Sequence, residues 1–254
     1  MKTSIPTLAK KITIRILFLL TQNKLSHAIR FIRIQSRYFI YSGLWKSTLL
    51  RKPMNQKGDP LPWLSVPAIE FLNRCSFQGC NVLELGSGQS TLYWQERAQS
   101  VTSLEHDHHW LHLLRLRVKK NVTLKYWQEE ARFNDFDFSN FEIVVIDGLE
   151  RGSALDSLGL AIENSSKTNA NPDLVILDNA NWFPRKVTIF RMRTNFIPIN
   201  FIGFAPSGLM EQDTCIFVNP QSKHANFSVT SVSLNRTKSG KLQTEFVHEM
   251  DFED

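Results

Sequence analysis

The stretch from Asn81 to Trp94, NVLELGSGQSTLYW, constrains the fold more than any other part of this 254-residue chain. Val82 to Leu85 is a short apolar run bounded by a glycine-rich turn, the pattern of a buried strand. Gly86 and Gly88 let the backbone turn sharply and leave room for a ligand to lie against it. Ser90 and Thr91 then open a helix, whose free N–H groups and positive dipole end favour anionic ligand groups. The unit is a strand, a glycine loop and a helix, suited to a nucleotide-like cofactor.

Two features speak against a dinucleotide. The third glycine of G-x-G-x-x-G is replaced by Thr91. Glu84, two residues before Gly86, would also bring a carboxylate close to a pyrophosphate. It suits a cationic amino group better. VLELGSGQST resembles motif I of the class I S-adenosylmethionine (SAM)-dependent methyltransferases. That resemblance implies a doubly wound, mostly parallel α/β sheet of seven strands. It also implies that Glu84, Gly86, Ser87, Gly88, Ser90 and Thr91 bind SAM, with Glu84 near its amino group.

The charge is unevenly spread. Residues 1–57 hold 12 Lys or Arg and no Asp or Glu; the remaining 18 basic residues face 24 acidic ones. The net +6 therefore comes wholly from the N-terminal segment, and the rest of the chain is mildly acidic. This argues against a broad nucleic-acid face on the domain. Cys75, Cys80 and Cys215 are too few and too scattered for a disulfide framework and read as core thiols, in keeping with a cytoplasmic location. Near the N-terminus Arg15 interrupts ITIRILFLL, leaving a run too short for a signal or a membrane span.

Residues 25–40 carry a helical pattern, with Leu25, Ala28, Ile29, Ile32 and Phe39 on one face and Arg30, Arg33 and Arg37 on another. Two readings stay open: peripheral binding to an anionic membrane surface through residues 1–50, or packing of the apolar face on the domain. Lys52 to Pro62 is turn-rich and reads as a linker, which divides the chain into a basic arm (1–57), a catalytic domain (58–220) and a C-terminal segment (221–254). A helix is expected over Trp63–Asn73, with Pro67 near its start. GDPLPWLSVPAIEFL is similar to the entry segment of bacterial methyltransferases linked to FkbM-type proteins. Trp63 is accordingly a candidate to line the substrate pocket, or else simply packs.

Further strands are expected at Val101–Leu104, Val122–Trp127, Phe141–Asp147, Asp173–Asp178, Phe196–Phe204 and Asp213–Val218, with helices over Ser153–Ile162 and Pro184–Thr194. Alternation of strand and helix from 81 to 178 implies right-handed βαβ units. By the resemblance, the last two strands form an antiparallel pair closing the sheet. Phe227–Leu234 and Leu242–His248 flank TKSGK, a hairpin signal. Glu105 lies 19 residues beyond Gly86, near the spacing of about 20 expected of a carboxylate that binds ribose hydroxyls, with Asp107 as the alternative. In EHDHHWLH, His108 and His112 stand at i and i+4. They read as a weak metal pair or as a solvated helix start.

Ligands of such sheets bind at the carboxyl ends of the strands, where Glu84, Glu105, Asp147 and Asp178 fall. Asp147, Asp178 and Asn179 form a candidate catalytic and metal-binding group. It resembles the Mg2+ site of catechol-type and caffeoyl-CoA-type O-methyltransferases, with Asn179 also a candidate to touch substrate. Those families place a lysine where this chain has Glu150, and the adjacent Arg151 is no base because arginine stays protonated. A divalent cation and a metal-free acidic pocket both stay open. The implied activity is SAM-dependent methylation, at oxygen of a small molecule, glycan or lipid-linked precursor. The alternatives are a nucleotide-sugar or NAD-dependent oxidoreductase, or a silent membrane-associated binding protein.

Overall fold

A computed structural model describes residues 24–127, 137–164, 171–208 and 210–222. The expected C-terminal hairpin and most of the loop 128–138 lie outside them. A helix over 24–41 (α1) is followed by α2 (Leu44–Leu50) and α3 (Val66–Asn73). An alternating series comes next: β1 (Asn81–Leu85), α4 (Gln89–Trp94), β2 (Ser100–Glu105), α5 (His108–Arg115) and β3 (Val122–Tyr126). After it come β4 (Ile143–Ile146), α6 (Arg151–Asn164), β5 (Leu174–Leu177), α7 (Pro184–Thr194), β6 (Ile197–Phe204) and β7 (Glu211–Val218).

The seven strands form one sheet in the order β3-β2-β1-β4-β5-β7-β6. β1 to β5 pair in parallel, whereas β7 runs antiparallel to both β5 and β6. This matches the arrangement that the resemblance to class I methyltransferases implies, and not the all-parallel 3-2-1-4-5-6 order of dinucleotide sheets. Strand periodicity sends alternate side chains to opposite faces. Leu83, Leu85, Val144, Ile146, Val175 and Leu177 pack under α6 and α7, joined by Phe190 and Phe217. Val82, Val101, Ile143, Val145 and Ile176 face α3 and the pair Tyr93 and Trp94. Both faces of the central strands are thus covered, which explains the unbroken apolar runs IVVI and LVIL.

Three local features refine the sequence expectations. Helix α3 begins at Val66 with Ser65 as its N-cap; in a helix running from Trp63, the Pro67 ring would clash with the Trp63 carbonyl. The turn-rich stretch 52–62 is folded against α2. The Ser47 hydroxyl donates to the Met54 carbonyl at 2.7 Å and accepts the Met54 N–H at 3.0 Å, and Met54 bridges Pro60. Gly43 allows this packing, since a Cβ there would lie 2.2 Å from the Asn55 carbonyl carbon. Finally, α1 leaves Leu25, Ile29, Ile32 and Phe39 exposed. The Tyr38 hydroxyl reaches the domain, at Glu70 Oε1 (2.8 Å). Among the described residues no helix is long and apolar enough to cross a membrane.

Candidate functional site

The carboxyl ends of β1, β2 and β4 open into a cavity of about 620 Å3. Gly86, Ser87, Gly88 and Ser90 of the glycine loop line it, as do Trp63, Glu105, Asp147, Gly148 and Arg151. Its volume is that of an ordinary small-molecule site. Gly86 has φ +99°, the left-handed region that favours glycine, and a Cβ on it would stand 2.6 Å from the Gly148 backbone. At Gly88 a Cβ would meet, among the described residues, only Ser90 Oγ, at 4.0 Å, because the residue faces the open cavity.

The loop is held from below by buried polar groups. Glu84, fully buried, accepts hydrogen bonds at Oε2 from the hydroxyls of Thr91 and Ser103 (2.5 and 2.6 Å). Thr91 Oγ1 in turn accepts the Gly88 N–H at 2.8 Å. Burial pushes the Glu84 carboxyl up to about 7, and the hydroxyls of Ser103, Ser90 and Thr91 pull the other way. Among the described residues no hydrogen bond reaches its Oε1. Glu84 and Thr91 therefore sit behind the loop and shape it, rather than lining the cavity as Gly86, Ser87, Gly88 and Ser90 do.

Glu105 ends β2 and is nearly buried, with its carboxylate turned into the loop. Its Oε2 accepts the Ser87 N–H and its Oε1 accepts the N–H groups of His106 and Asp107, all at 2.9 Å. A carboxylate has about four acceptor positions, so Oε2 keeps capacity for a ligand hydroxyl. Asp107 is committed elsewhere: it caps α5 by accepting from the N–H groups of His109 and Trp110, which holds its carboxyl below the usual range. Trp110 Nε1 donates to the Ser87 carbonyl at 2.8 Å and pins the loop from the far side. His108 stacks on Tyr126, with ring centroids 3.5 Å apart. A smaller recess beside the cavity is lined by Leu104, His106, Trp127, Leu149 and Glu150.

The expected group Asp147, Asp178 and Asn179 does come together, around Arg151. The guanidinium lies 3.0 Å from Asp147 Oδ1 and 3.5 Å from Asp178 Oδ2, and it donates to Asn179 Oδ1. It also donates to the carbonyls of Gly148 (3.1 Å), Asp178 (3.2 Å) and Asp147 (3.0 Å). A fixed monovalent cation thus engages the oxygens that a divalent ion would need, and these three residues do not fit a metal site in this arrangement. Asp178 is further fixed by the Thr214 hydroxyl (2.9 Å) and the Gln212 amide (2.6 Å). Burial and the neighbouring Asp178 carboxyl raise Asp147 well above the ordinary carboxylate range, against the pull of Arg151. Asp178 is raised by burial, opposed by Thr214, Arg151 and Gln212. Asp147 and Arg151 line the cavity; Asp178 and Asn179 stand behind them.

Several contributors to the site carry little signal in the sequence. Gly148 was visible only as half of an Asp-Gly turn dipeptide. Trp110 was one aromatic among many. Arg51, Lys52 and Arg117 also line the cavity, yet nothing in their local sequence sets them apart from other surface cations.

No protein-family model matches the sequence, and no curated protein does. Solved structures with a similar fold include precorrin-6y C5,15-methyltransferase from Geobacter metallireducens, at 15% identity and a TM-score of 0.40 over 60% of this chain and 86% of that one. A TehB-like SAM-dependent methyltransferase from Corynebacterium glutamicum gives 14% and 0.40 over 59% and 85%. Spermidine synthase in complex with the transition-state analogue AdoDATO gives 11% and 0.44 over 77% and 71%.

Proposed function

We propose that this chain is a SAM-dependent methyltransferase that acts, without a metal ion, on oxygen of a small molecule, glycan or lipid-linked precursor. The observation that carries the reading is the shared cavity: the glycine loop, the Glu105 carboxylate and Asp147 face one space. Glu105 Oε2 would take a ribose hydroxyl, and the recess bounded by His106, Trp127 and Leu149 would take the base. Gly88, with no side chain, lets the ligand lie against the backbone. The bound cofactor supplies an already activated methyl group, so the protein's work is positioning and proton removal. Asp147, held at the cavity wall by Arg151 and raised by burial, accepts the proton of the acceptor hydroxyl. Asp178 holds Arg151 in place and acts through it.

The basic arm supports a further part of the proposal, peripheral contact with an anionic membrane. Leu25, Ile29, Ile32 and Phe39 are exposed beside the exposed Arg30, Arg33 and Arg37. Isothermal titration with SAM and with NAD(P)H tests the cofactor assignment. Binding of SAM alone is expected. Binding of NAD(P)H alone would replace this reading with the oxidoreductase, and SAM binding without turnover on any acceptor would leave a silent binding protein.

A further inference from the structure

The cavity wall carries both acids and cations. Glu105 is occupied by three backbone N–H groups and Asp147 by Arg151. Arg51, Lys52 and Arg117 line the same cavity, and no carboxylate among the described residues forms an ion pair with any of them. They come from two distant parts of the chain. Arg51 and Lys52 belong to the basic segment and come just after α2; Arg117 follows α5.

Their convergence is built into the fold. Arg51 closes α2 with a left-handed backbone (φ 47°), a conformation more easily taken by glycine. The Lys52 N–H donates to the Ser47 carbonyl at 3.1 Å. The Pro53 carbonyl accepts from the Leu61 N–H (3.2 Å) and from the Gln89 amide (3.4 Å), which ties this strap to the start of α4. The same Gln89 side chain accepts from Arg117 Nη2 at 3.0 Å. One glutamine beside the glycine loop therefore sets both groups of cations. Lys52 is lowered from its ordinary value, first by burial and then by the charge of Arg117. Like charges held together without a counter-charge repel, and an anion placed between them relieves the cost.

We propose that Arg51, Lys52 and Arg117 form the binding site for a phosphate-bearing acceptor, with the phosphate at the cavity rim and the methylated hydroxyl toward Asp147. This rests on the methyltransferase reading and narrows its substrate class. Three positive charges exceed what the single carboxylate of the cofactor needs. Arginine forks together with a lysine point charge suit a multiply charged phosphate oxyanion. A soluble phosphoester and a phospholipid headgroup present the same chemistry.

The test is titration of inorganic pyrophosphate, and separately of dihexanoyl phosphatidic acid, into the full chain with and without saturating S-adenosylhomocysteine. Lys52→Gln and Arg117→Gln are compared with the unaltered protein, and circular dichroism and melting curves check their folding. Pyrophosphate or the short lipid should bind, each variant should weaken that binding about tenfold or more, and S-adenosylhomocysteine affinity should change less than about twofold. Tighter binding of the lipid would identify a lipid-linked acceptor; tighter binding of pyrophosphate, a soluble one. No binding of either probe, or equal binding by folded variants, would overturn the proposal. So would variants that lose S-adenosylhomocysteine as steeply as phosphate, since the cations would then serve the cofactor carboxylate. If the unaltered protein binds pyrophosphate but no S-adenosylhomocysteine, the cofactor reading fails while the anion site stands.

Discussion

Gly86 and Gly148 pass so close at the ends of β1 and β4 that a Cβ on Gly86 would stand 2.6 Å from both the Gly148 Cα and its nitrogen. Gly86 also has φ +99°, so alanine there meets both a clash and an unfavourable backbone. Gly88 is the opposite case: its φ of 175° suits any residue, and its missing side chain faces the cavity. Gly86→Ala is expected to cost about 3 kcal/mol of stability in urea titration. Gly88→Val should keep the melting temperature but weaken SAM binding about a hundredfold or more by calorimetry. Unchanged SAM affinity in folded Gly88→Val would remove the cofactor assignment.

The arm offers a second prediction. Helix α1 exposes apolar and basic side chains together, the combination that binds anionic lipid and is weakened by salt. Co-sedimentation with phosphatidylserine-containing vesicles should be strong at low salt and lost on deleting residues 1–41. That deletion spares α2, whose Ser47 holds the cation-bearing strap. Equal sedimentation with and without the arm would end the membrane reading.

Much of this architecture is legible in the sequence, because its strands carry period-two or continuous apolar runs and its glycine loop is a local feature. α7 runs from Pro184 to Thr194, bounds that its opening proline and its closing Asn195, in the left-handed region, make readable. The site is less legible. The residues that decide its chemistry meet through tertiary contacts: Gly86 with Gly148 across neighbouring strands, Gln89 with Pro53 and Arg117, Arg151 with Asp178. The role expected for Glu84 shows the limit well. Its place in the motif is plain, but only its burial beneath Thr91 and Ser103 shows that it supports the loop from behind.

That burial sets a pH dependence. The Glu84 carboxyl titrates near 7 in the folded protein, above the ordinary value of 4.5 that it regains on unfolding. A raised folded value means that the native state holds the proton more tightly. The associated stability is complete below pH 4.5 and is lost as pH rises through about 7, a difference on the order of 3 kcal/mol. Asp147 and Asp178 act in the same direction. Urea midpoints should therefore fall between pH 5 and about 7.5, and Glu84→Gln should flatten that slope. A slope unchanged by Glu84→Gln would mean that the carboxylate is not carrying it.

The last prediction concerns the acids around Arg151. The guanidinium spends its donors on both carboxylates, the Asn179 side chain and three main-chain carbonyls. With that cation in place, EDTA should leave turnover unchanged and added Mg2+ should not raise it. Asp147 alone of the two aspartates lines the cavity, so Asp147→Asn should lower kcat about 10²- to 10⁴-fold with little change in SAM affinity. The rate of the unaltered enzyme should fall on the acid side at a pH above the ordinary carboxylate range, because Asp147 is raised by burial and by Asp178. Asp178→Asn removes a partner of Arg151 and leaves the proposed base, so its effect should be milder, about tenfold. Turnover abolished by EDTA and restored by Mg2+ would show that the acids exchange Arg151 for a metal when substrate binds. Asp147→Asn with full activity would move the proton acceptor elsewhere in the cavity.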